Sequence, residues 1–148
     1  MKTKRYLTVF MYAIASCILP AISCAQKIAA GGRHSLAVCN DNTERAWGYN
    51  VNGELGNGAN TQSNVPIQVS SLTGITGIAA GGTHSLALKN DGTVWAWGSN
   101  LKGELGNGAN TNSNVPVSVN SLTLITAISG GHEYSLAVKN DGTVWAWG

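Results

Sequence analysis

The 148-residue chain is poor in charge, in cysteine, in proline and in long apolar runs. Charged residues make up 11% of it, beside three cysteines, three prolines and one phenylalanine. Cys17 and Cys24 lie in the N-terminal segment, so the sequence after residue 25 contains one cysteine, Cys39, and a single cysteine cannot form an internal disulfide. It occupies a strand-end position without a His/Asn partner pattern, so we expect a tolerated substitution and not a nucleophile.

Basic residues are few and dispersed, which argues against a nucleic-acid surface. Three of the nine Lys and Arg residues lie in residues 1–25, leaving six against seven acids, a net charge of −1. A nucleic-acid interface requires clustered positive charge. We therefore expect no nucleic-acid partner.

Residues 1–25 have the layout of a secretory signal peptide. A basic start at residues 2–5 precedes an apolar run from Tyr6 to Leu19, and Ser23-Cys24-Ala25 offers small residues before a cut at Gln26. The run of about 14 residues is shorter than the ~20 that a spanning helix needs. We expect cleavage and a secreted, periplasmic or cell-surface protein. Two alternatives stay open, an uncleaved anchor and lipidation at Cys17 or Cys24, and only these would bring the protein to a membrane.

A unit of fifty residues recurs in register through the rest of the chain. Ile28–Val38 returns at Ile78–Leu88 and, with changes, at Ile128–Val138. Such a period is typical of propellers and solenoids. We divide the chain into a signal peptide (1–25), repeat 1 (28–77), repeat 2 (78–127) and a partial repeat 3 (128–148). The 121 residues from Ile28 onward amount to about 2.4 units.

Each unit predicts about four short strands and no helix. Residues 84–89 alternate with a period of two, Asn90-Asp91-Gly92 is a hairpin signal, and residues 93–97 form the return strand. One such sheet cannot bury its own face, so stacked four-stranded sheets would form the core, with the tryptophans filling the space between blades. Glu44-Arg45 replaces Val94-Trp95 in repeat 1. This charged pair predicts either an exposed face or a decaying unit.

Residues that resemble a catalytic or metal site recur once in each unit and are better explained as architecture. His34 and His84 lie a unit apart, too far to share a metal, so we expect hydrogen-bonded blade residues, with His132 in a turn. The two Gly-Glu-Leu-Gly-Asn-Gly segments lack the Gly-Lys-Ser/Thr of a phosphate loop and are expected to be turns.

The repeated acids have the same explanation. The hairpin aspartates lack the spacing of a calcium loop, and equivalent glutamates on adjacent blades are a poor acid–base pair. The hairpin aspartates are Asp41, Asp91 and Asp141, and the glutamates are Glu54 and Glu104. We assign no catalytic, metal-binding or cofactor-binding residue, and expect no enzyme activity, no cofactor and no small-molecule substrate.

Several motifs recur in a fixed order. They are Ile-Ala-Ala-Gly-Gly-x-His-Ser-Leu-Ala, then Asn-Asp-Gly-Thr-Val-Trp-Ala-Trp-Gly, then Gly-Glu-Leu-Gly-Asn-Gly, then Val-Pro-x-x-Val. Together they resemble the RCC1 (regulator of chromosome condensation) repeat from Ile28 onward. The resemblance implies an all-β fold of β-propeller blades, typically seven to a ring. The matching signature positions are Gly31, Gly32, His34, Trp47, Gly48, Gly53, Leu55, Gly56, Gly81, Gly82, His84, Gly92, Trp95, Trp97, Gly98, Gly103, Leu105, Gly106, Gly131, Trp145 and Trp147. Tyr134 departs from the pattern by standing where His34 and His84 stand.

The resemblance supplies two hypotheses for function. The first is a secreted, non-enzymatic scaffold that meets a protein partner through loops on one face, as secreted relatives that cap β-lactamases do. The alternative is a guanine-nucleotide exchange factor like the family's eukaryotic founder. Because seven units would need about 350 residues, we expect a fragment, a truncated gene product or a chain that completes itself as a homo-oligomer.

Overall fold

The computed structural model describes residues 26–40 and 43–148, which form eleven strands. The predicted signal peptide and its two cysteines, as well as Asp41 and Asn42, lie outside the described residues. The strands are β1 Lys27–Ala30, β2 His34–Val38, β3 Glu44–Gly48, β4 Ser63–Gln68, β5 Ile75–Ala80, β6 His84–Lys89, β7 Val94–Gly98, β8 Ser113–Ser118, β9 Ile125–Gly130, β10 Ser135–Lys139 and β11 Val144–Trp147.

The strands form three antiparallel sheets in which each strand pairs with its sequence neighbour. Blade 1 has the order β1-β2-β3-β4, blade 2 the order β5-β6-β7-β8, and blade 3 holds β9, β10 and β11. In blade 2, Leu86 pairs with Ala96 and Leu88 with Val94 across the predicted hairpin. The predicted all-β class, with about four short strands in a full unit, is confirmed. The sheets begin at Lys27, Ile75 and Ile125, so the repeat boundaries at 77/78 and 127/128 fall inside β5 and β9.

Each blade presents two different ends. Strand direction alternates, so the turns after the first strand and the loops after the third strand lie at the same end. We name this end the long-loop face: turns 31–33, 81–83 and 131–134 with loops 49–62 and 99–112. The opposite end, the hairpin face, carries turns 90–93 and 140–143. In the described part of the chain, no helix has the length and apolarity needed to cross a bilayer.

Two apolar clusters join the blades, and one is a copy of the other displaced by a repeat. Strand β5 packs on β1 and β2, and β9 packs on β5 and β6. The cluster between blades 1 and 2 contains Leu36, Val38, Ala46, Leu55, Val69, Leu72, Ile75, Ala87 and Trp97. The cluster between blades 2 and 3 contains the equivalents Leu86, Leu88, Ala96, Leu105, Val119, Leu122, Ile125 and Ala137, with Trp147 packed against it.

The two charged residues of blade 1 lie in different environments. Glu44 is buried, with 1% of its surface exposed, whereas Arg45 is half-buried. The expectation of an exposed face is therefore wrong for Glu44. Alternation along the strand turns Glu44 to the side that Val94 occupies in blade 2, where Val94 belongs to the core between blades.

Candidate functional site

A hydrogen-bond relay links each blade to the next. The His34 Nε2 atom lies 2.9 Å from the Ser85 hydroxyl of blade 2, and the His84 Nε2 atom lies 2.9 Å from the Ser135 hydroxyl of blade 3. All four side chains are buried. The histidines therefore act as links between adjacent sheets.

The serine hydroxyl determines which imidazole nitrogen carries the proton. Ser85 donates its hydrogen to the Glu54 carbonyl oxygen at 2.8 Å, and Ser135 donates to the Glu104 carbonyl at 2.9 Å. A hydroxyl has one hydrogen, so its oxygen must accept from the histidine Nε2–H. The indole N–H of Trp97 also donates to the Glu54 carbonyl, at 2.8 Å. Each relay therefore ends on a single main-chain oxygen.

Burial keeps the imidazoles neutral. Desolvation lowers the pKa of His84 to about 4, against an opposing Glu104 charge and with a smaller contribution from His34. The pKa of His34 is lowered by burial too, against the charge of Glu54. The Nδ1 atoms of both rings are buried and accept no hydrogen bond from the residues that the structure describes. A neutral ring with its Nε2–H committed to serine is suited to holding sheets together, not to proton transfer near pH 7.

The repeated glutamates fold the loop that supplies the relay carbonyl. Glu54 accepts the backbone N–H and the side-chain amide of Asn52, both at 2.9 Å. Glu104 accepts the Lys102 backbone N–H at 2.8 Å and the Ser99 hydroxyl at 3.3 Å. Both glutamates are buried. The donors to each glutamate come from its own blade.

Two signature glycines permit the close approach on which the relay depends. A Cβ on Gly31 would lie 2.5 Å from the His34 ring and 2.6 Å from the Gly81 carbonyl oxygen. A Cβ on Gly56 would lie 2.7 Å from the Trp97 indole nitrogen, and Gly56 has φ +62°. Neither position has room for a side chain, and Gly56 also requires the left-handed region.

The long-loop face carries an open depression of about 380 Å³. Turns of all three blades contribute to it. Its lining residues are Gly32, Arg33, Tyr49, Asn52, Gly82, Thr83 and His132. The Arg33 guanidinium carbon lies 5.7 Å from the centre of the Tyr49 ring, a cation–π distance.

The depression combines positions at which the otherwise similar units differ. Repeat 2 has Thr83 where repeat 1 has Arg33, Ser99 where it has Tyr49, and Lys102 where it has Asn52. Only Gly32 and Gly82 among the predicted signature residues line it. The other lining residues were missed by sequence reasoning, apart from the placement of His132 in a turn. Divergence within a repeat is the signal that could have found them.

The tryptophans of the signature lie on the blade faces, away from the depression. Trp97 is fully buried between blades 1 and 2, and Trp95 is half-buried beside it. In blade 3, Trp145 is 47% exposed and Trp147 is half-buried. Within the described residues, no group of three His, Cys, Asp or Glu side chains is placed to hold a metal ion.

Stacked four-stranded antiparallel sheets joined through their faces are the blades of a β-propeller. The family model of the regulator of chromosome condensation (RCC1) repeat matches residues 46–88 and 91–138, and a second RCC1 repeat model matches residues 25–54 and 75–104. The chain belongs to the RCC1 repeat family. No curated protein matches it.

Solved structures, two of them of yeast RCC1, resemble the chain over most of its length. Yeast RCC1 (Prp20), in a crystal structure with Kap60, is 26% identical with a TM-score of 0.74, covering 84% of this chain and 32% of that one. A second structure of Prp20p from Saccharomyces cerevisiae, described with its binding to Gsp1p and histones, is 25% identical with a TM-score of 0.74 and coverages of 84% and 33%. Human WBSCR16 shares the fold at 21% identity, with a TM-score of 0.77 and coverages of 84% and 33%. The chain thus spans about a third of the length of these proteins.

Proposed function

We propose that the protein is a secreted, non-enzymatic protein-interaction scaffold that meets its partner through the long-loop face. One observation carries the proposal. Units that are otherwise close copies differ at Arg33/Thr83, Tyr49/Ser99 and Asn52/Lys102, and the first-unit member of each pair lines the same depression. A face that only held the fold together would need the same residues in every blade.

The chemistry of the depression suits a protein surface. Arg33 and Tyr49 belong to the residue types enriched at interface hot spots. Around them, Asn52, Thr83 and His132 offer side-chain donors and acceptors. The volume of about 380 Å³ is enough for a few side chains of a partner. We expect the partner to place a carboxylate near Arg33, because a guanidinium binds a carboxylate through two parallel hydrogen bonds.

The proposal that the protein is not an enzyme rests on the hydrogen bonds and the pKa values of the buried serines and histidines. Ser85 and Ser135 donate to carbonyl oxygens, and the imidazoles beside them have a lowered pKa because they are buried. The predicted export signal in residues 1–25 supports secretion. Isolation of the native protein with its N-terminus at Gln26, outside the cytosol, is the expected result.

Site-specific photo-crosslinking tests the binding face. A photoreactive amino acid at Thr83, on the long-loop face, is expected to capture a protein from the extracellular or periplasmic fraction of the source organism. The matched control is Thr93, an equally half-buried threonine on the hairpin face. Capture at Thr83 that Arg33→Ala abolishes supports the proposal. Capture from Thr93 alone, or capture at Thr83 that is insensitive to Arg33→Ala, contradicts it.

The alternative is a guanine-nucleotide exchange factor, for which the likeness to Prp20 is the supporting observation. A native protein that stays in the cytosol with its N-terminus uncut, and that accelerates nucleotide release from a small GTPase, would establish this alternative and overturn secretion.

A further inference from the structure

One carboxyl group is buried in the interface between blades 1 and 2. Ala46, two residues along β3 from Glu44, belongs to the apolar cluster that joins these blades, and so does Val38, which pairs with Glu44 from β2. Side chains two residues apart on a strand, and directly paired side chains, share one face of a sheet. Glu44 therefore lies on the face of blade 1 that packs against blade 2.

The elements around Glu44 supply no counter-charge to its carboxylate. Their titratable groups are Lys27, His34, Cys39, Arg45, His84 and Lys89. Among the described residues, neither carboxyl oxygen of Glu44 has a hydrogen-bond partner, and none of these groups forms an ion pair with it. Lys89 pairs with Asp91 at 3.5 Å, and alternation along β3 places Arg45 on the opposite side of the sheet. Both histidines are committed to the relay.

The main chain holds Glu44 in this position. Its residue is paired with Val38 on β2, and its carbonyl oxygen accepts the Val69 N–H at 3.0 Å. An unpaired carboxylate is far more costly to bury than the neutral acid. Because the backbone is fixed, a carboxylate formed here gains water when the contact between the two blades opens.

We propose that Glu44 is a pH-sensitive switch at the interface between blades 1 and 2: the neutral acid keeps this interface closed, and loss of its proton to solvent opens it. The second interface has Val94 at the equivalent position and should stay closed. Burial raises the pKa of Glu44 well above the ordinary 4.5. The closed interface therefore has its full stability below about pH 4.5 and loses it as the pH rises through the raised pKa.

The depression on the long-loop face spans the same interface. Arg33 and Tyr49 line it from blade 1, and Thr83 lines it from blade 2. Opening of the interface separates these side chains, so a partner that contacts both blades should bind less tightly as the pH rises. This consequence rests on the function proposed above. The switch itself does not, and it can be measured without a partner.

Two indole N–H groups report on the two interfaces separately. The Trp97 N–H donates across the first interface to the Glu54 carbonyl at 2.8 Å, and the Trp147 N–H donates across the second to the Glu104 carbonyl at 2.9 Å. NMR of the intact chain in heavy water measures the exchange rate of each N–H from pH 5 to pH 8. The ratio of the two rates within one molecule cancels the pH dependence of the exchange chemistry.

Glu44→Gln is the matched control, because glutamine has the same size and cannot ionise, and both histidines remain. We expect the ratio of the Trp97 rate to the Trp147 rate to rise with pH in the unaltered protein relative to this variant. The rise should be up to about tenfold per pH unit and more than about tenfold in all. Equal ratios in the two proteins at every pH would overturn the proposal, because Glu44 would then reach water by fraying of its own hairpin. Should Glu44→Gln fail to fold, Glu44→Val takes its place.

An exchange of residues between blades tests the cause. Glu44→Val combined with Val94→Glu places the carboxyl in the second interface, so the pH dependence should move from Trp97 to Trp147. A pH dependence that remains at Trp97 in the folded double variant would contradict the role of Glu44. Should the double variant fail to fold, the comparison of the unaltered protein with Glu44→Gln still decides.

Discussion

The interface between blades 1 and 2 and the interface between blades 2 and 3 are two copies of one arrangement with unequal details. Both contain the histidine–serine–carbonyl relay, with matching distances of 2.8 to 2.9 Å. Trp97 is fully buried in the first, whereas Trp147 is half-buried in the second. The polar links therefore repeat more faithfully than the apolar packing. The relay recurs because its histidine and glutamate in one unit and its serine in the next unit all repeat with the period of fifty residues.

The first interface also contains a buried charge-bearing group that the second lacks. Glu44 stands where Val94 stands in blade 2. Neither of its carboxyl oxygens has a hydrogen-bond partner in the described structure. Burial raises the pKa of Glu44 well above its ordinary value. The side chain is therefore held as the neutral acid over a wider pH range than an exposed glutamate.

The largest expected effect separates the two tryptophans. Trp97→Ala should lower the free energy of unfolding by about 3–5 kcal/mol, because it empties a buried site and removes the indole bond to Glu54. Trp147→Ala should cost about half as much, because its ring is only half-buried. Chemical denaturation of the two variants measures both values. Equal losses would show that the two interfaces are packed alike.

The next effect is a pH dependence from the buried histidines. The pKa of His84 is about 4 in the folded protein and 6.5 as its ordinary value, so unfolding takes up a proton between these pH values. Stability should fall as the pH drops from about 6.5 to about 4, by roughly 3 kcal/mol for a shift of this size. Denaturation at successive pH values measures the slope, and His84→Gln should reduce it. A slope that is the same in this variant would argue against a buried neutral His84.

Glu44 should produce a slope of the opposite sign. Its raised pKa means that folding takes up a proton, so stability falls as the pH rises above about 4.5. Glu44→Val should raise the free energy of unfolding at pH 7 by about 2 kcal/mol, because it replaces an unpaired buried carboxyl with the residue of blade 2. The matched control, Val94→Glu, should destabilise by a similar amount. Loss of stability in a folded Glu44→Val protein would mean that the carboxyl has a partner.

The smallest effect should be nearly the same at both interfaces. Ser85→Ala and Ser135→Ala each remove a hydroxyl that joins a histidine to a carbonyl. Each should cost about 1 kcal/mol. Thermal unfolding of the two variants compares them directly. A loss at only one serine would show that the second relay does not stabilise the protein.

The strands and the relay histidines could be predicted from the sequence because they recur with a fixed spacing. Alternation predicted β6, and the once-per-unit spacing of His34 and His84 predicted blade residues. The burial of Glu44 was not predicted, because a charged side chain is normally exposed. Its position in the repeat, which a valine occupies in blade 2, nevertheless places it in the core. The depression was missed because Arg33, Tyr49, Thr83 and His132 come from separate loops that only the stacking of blades brings together.

Nitrogen NMR of histidine-labelled protein tests most directly whether His34 and His84 are structural links between blades. At pH 7 both rings should be neutral with the proton on Nε2, and His84 should stay neutral at pH 5.5. The variants His34→Gln and His84→Gln assign the signals. A proton on Nδ1, or a charged His84 ring at pH 5.5, would contradict the relay and return these residues to the candidates for acid–base chemistry.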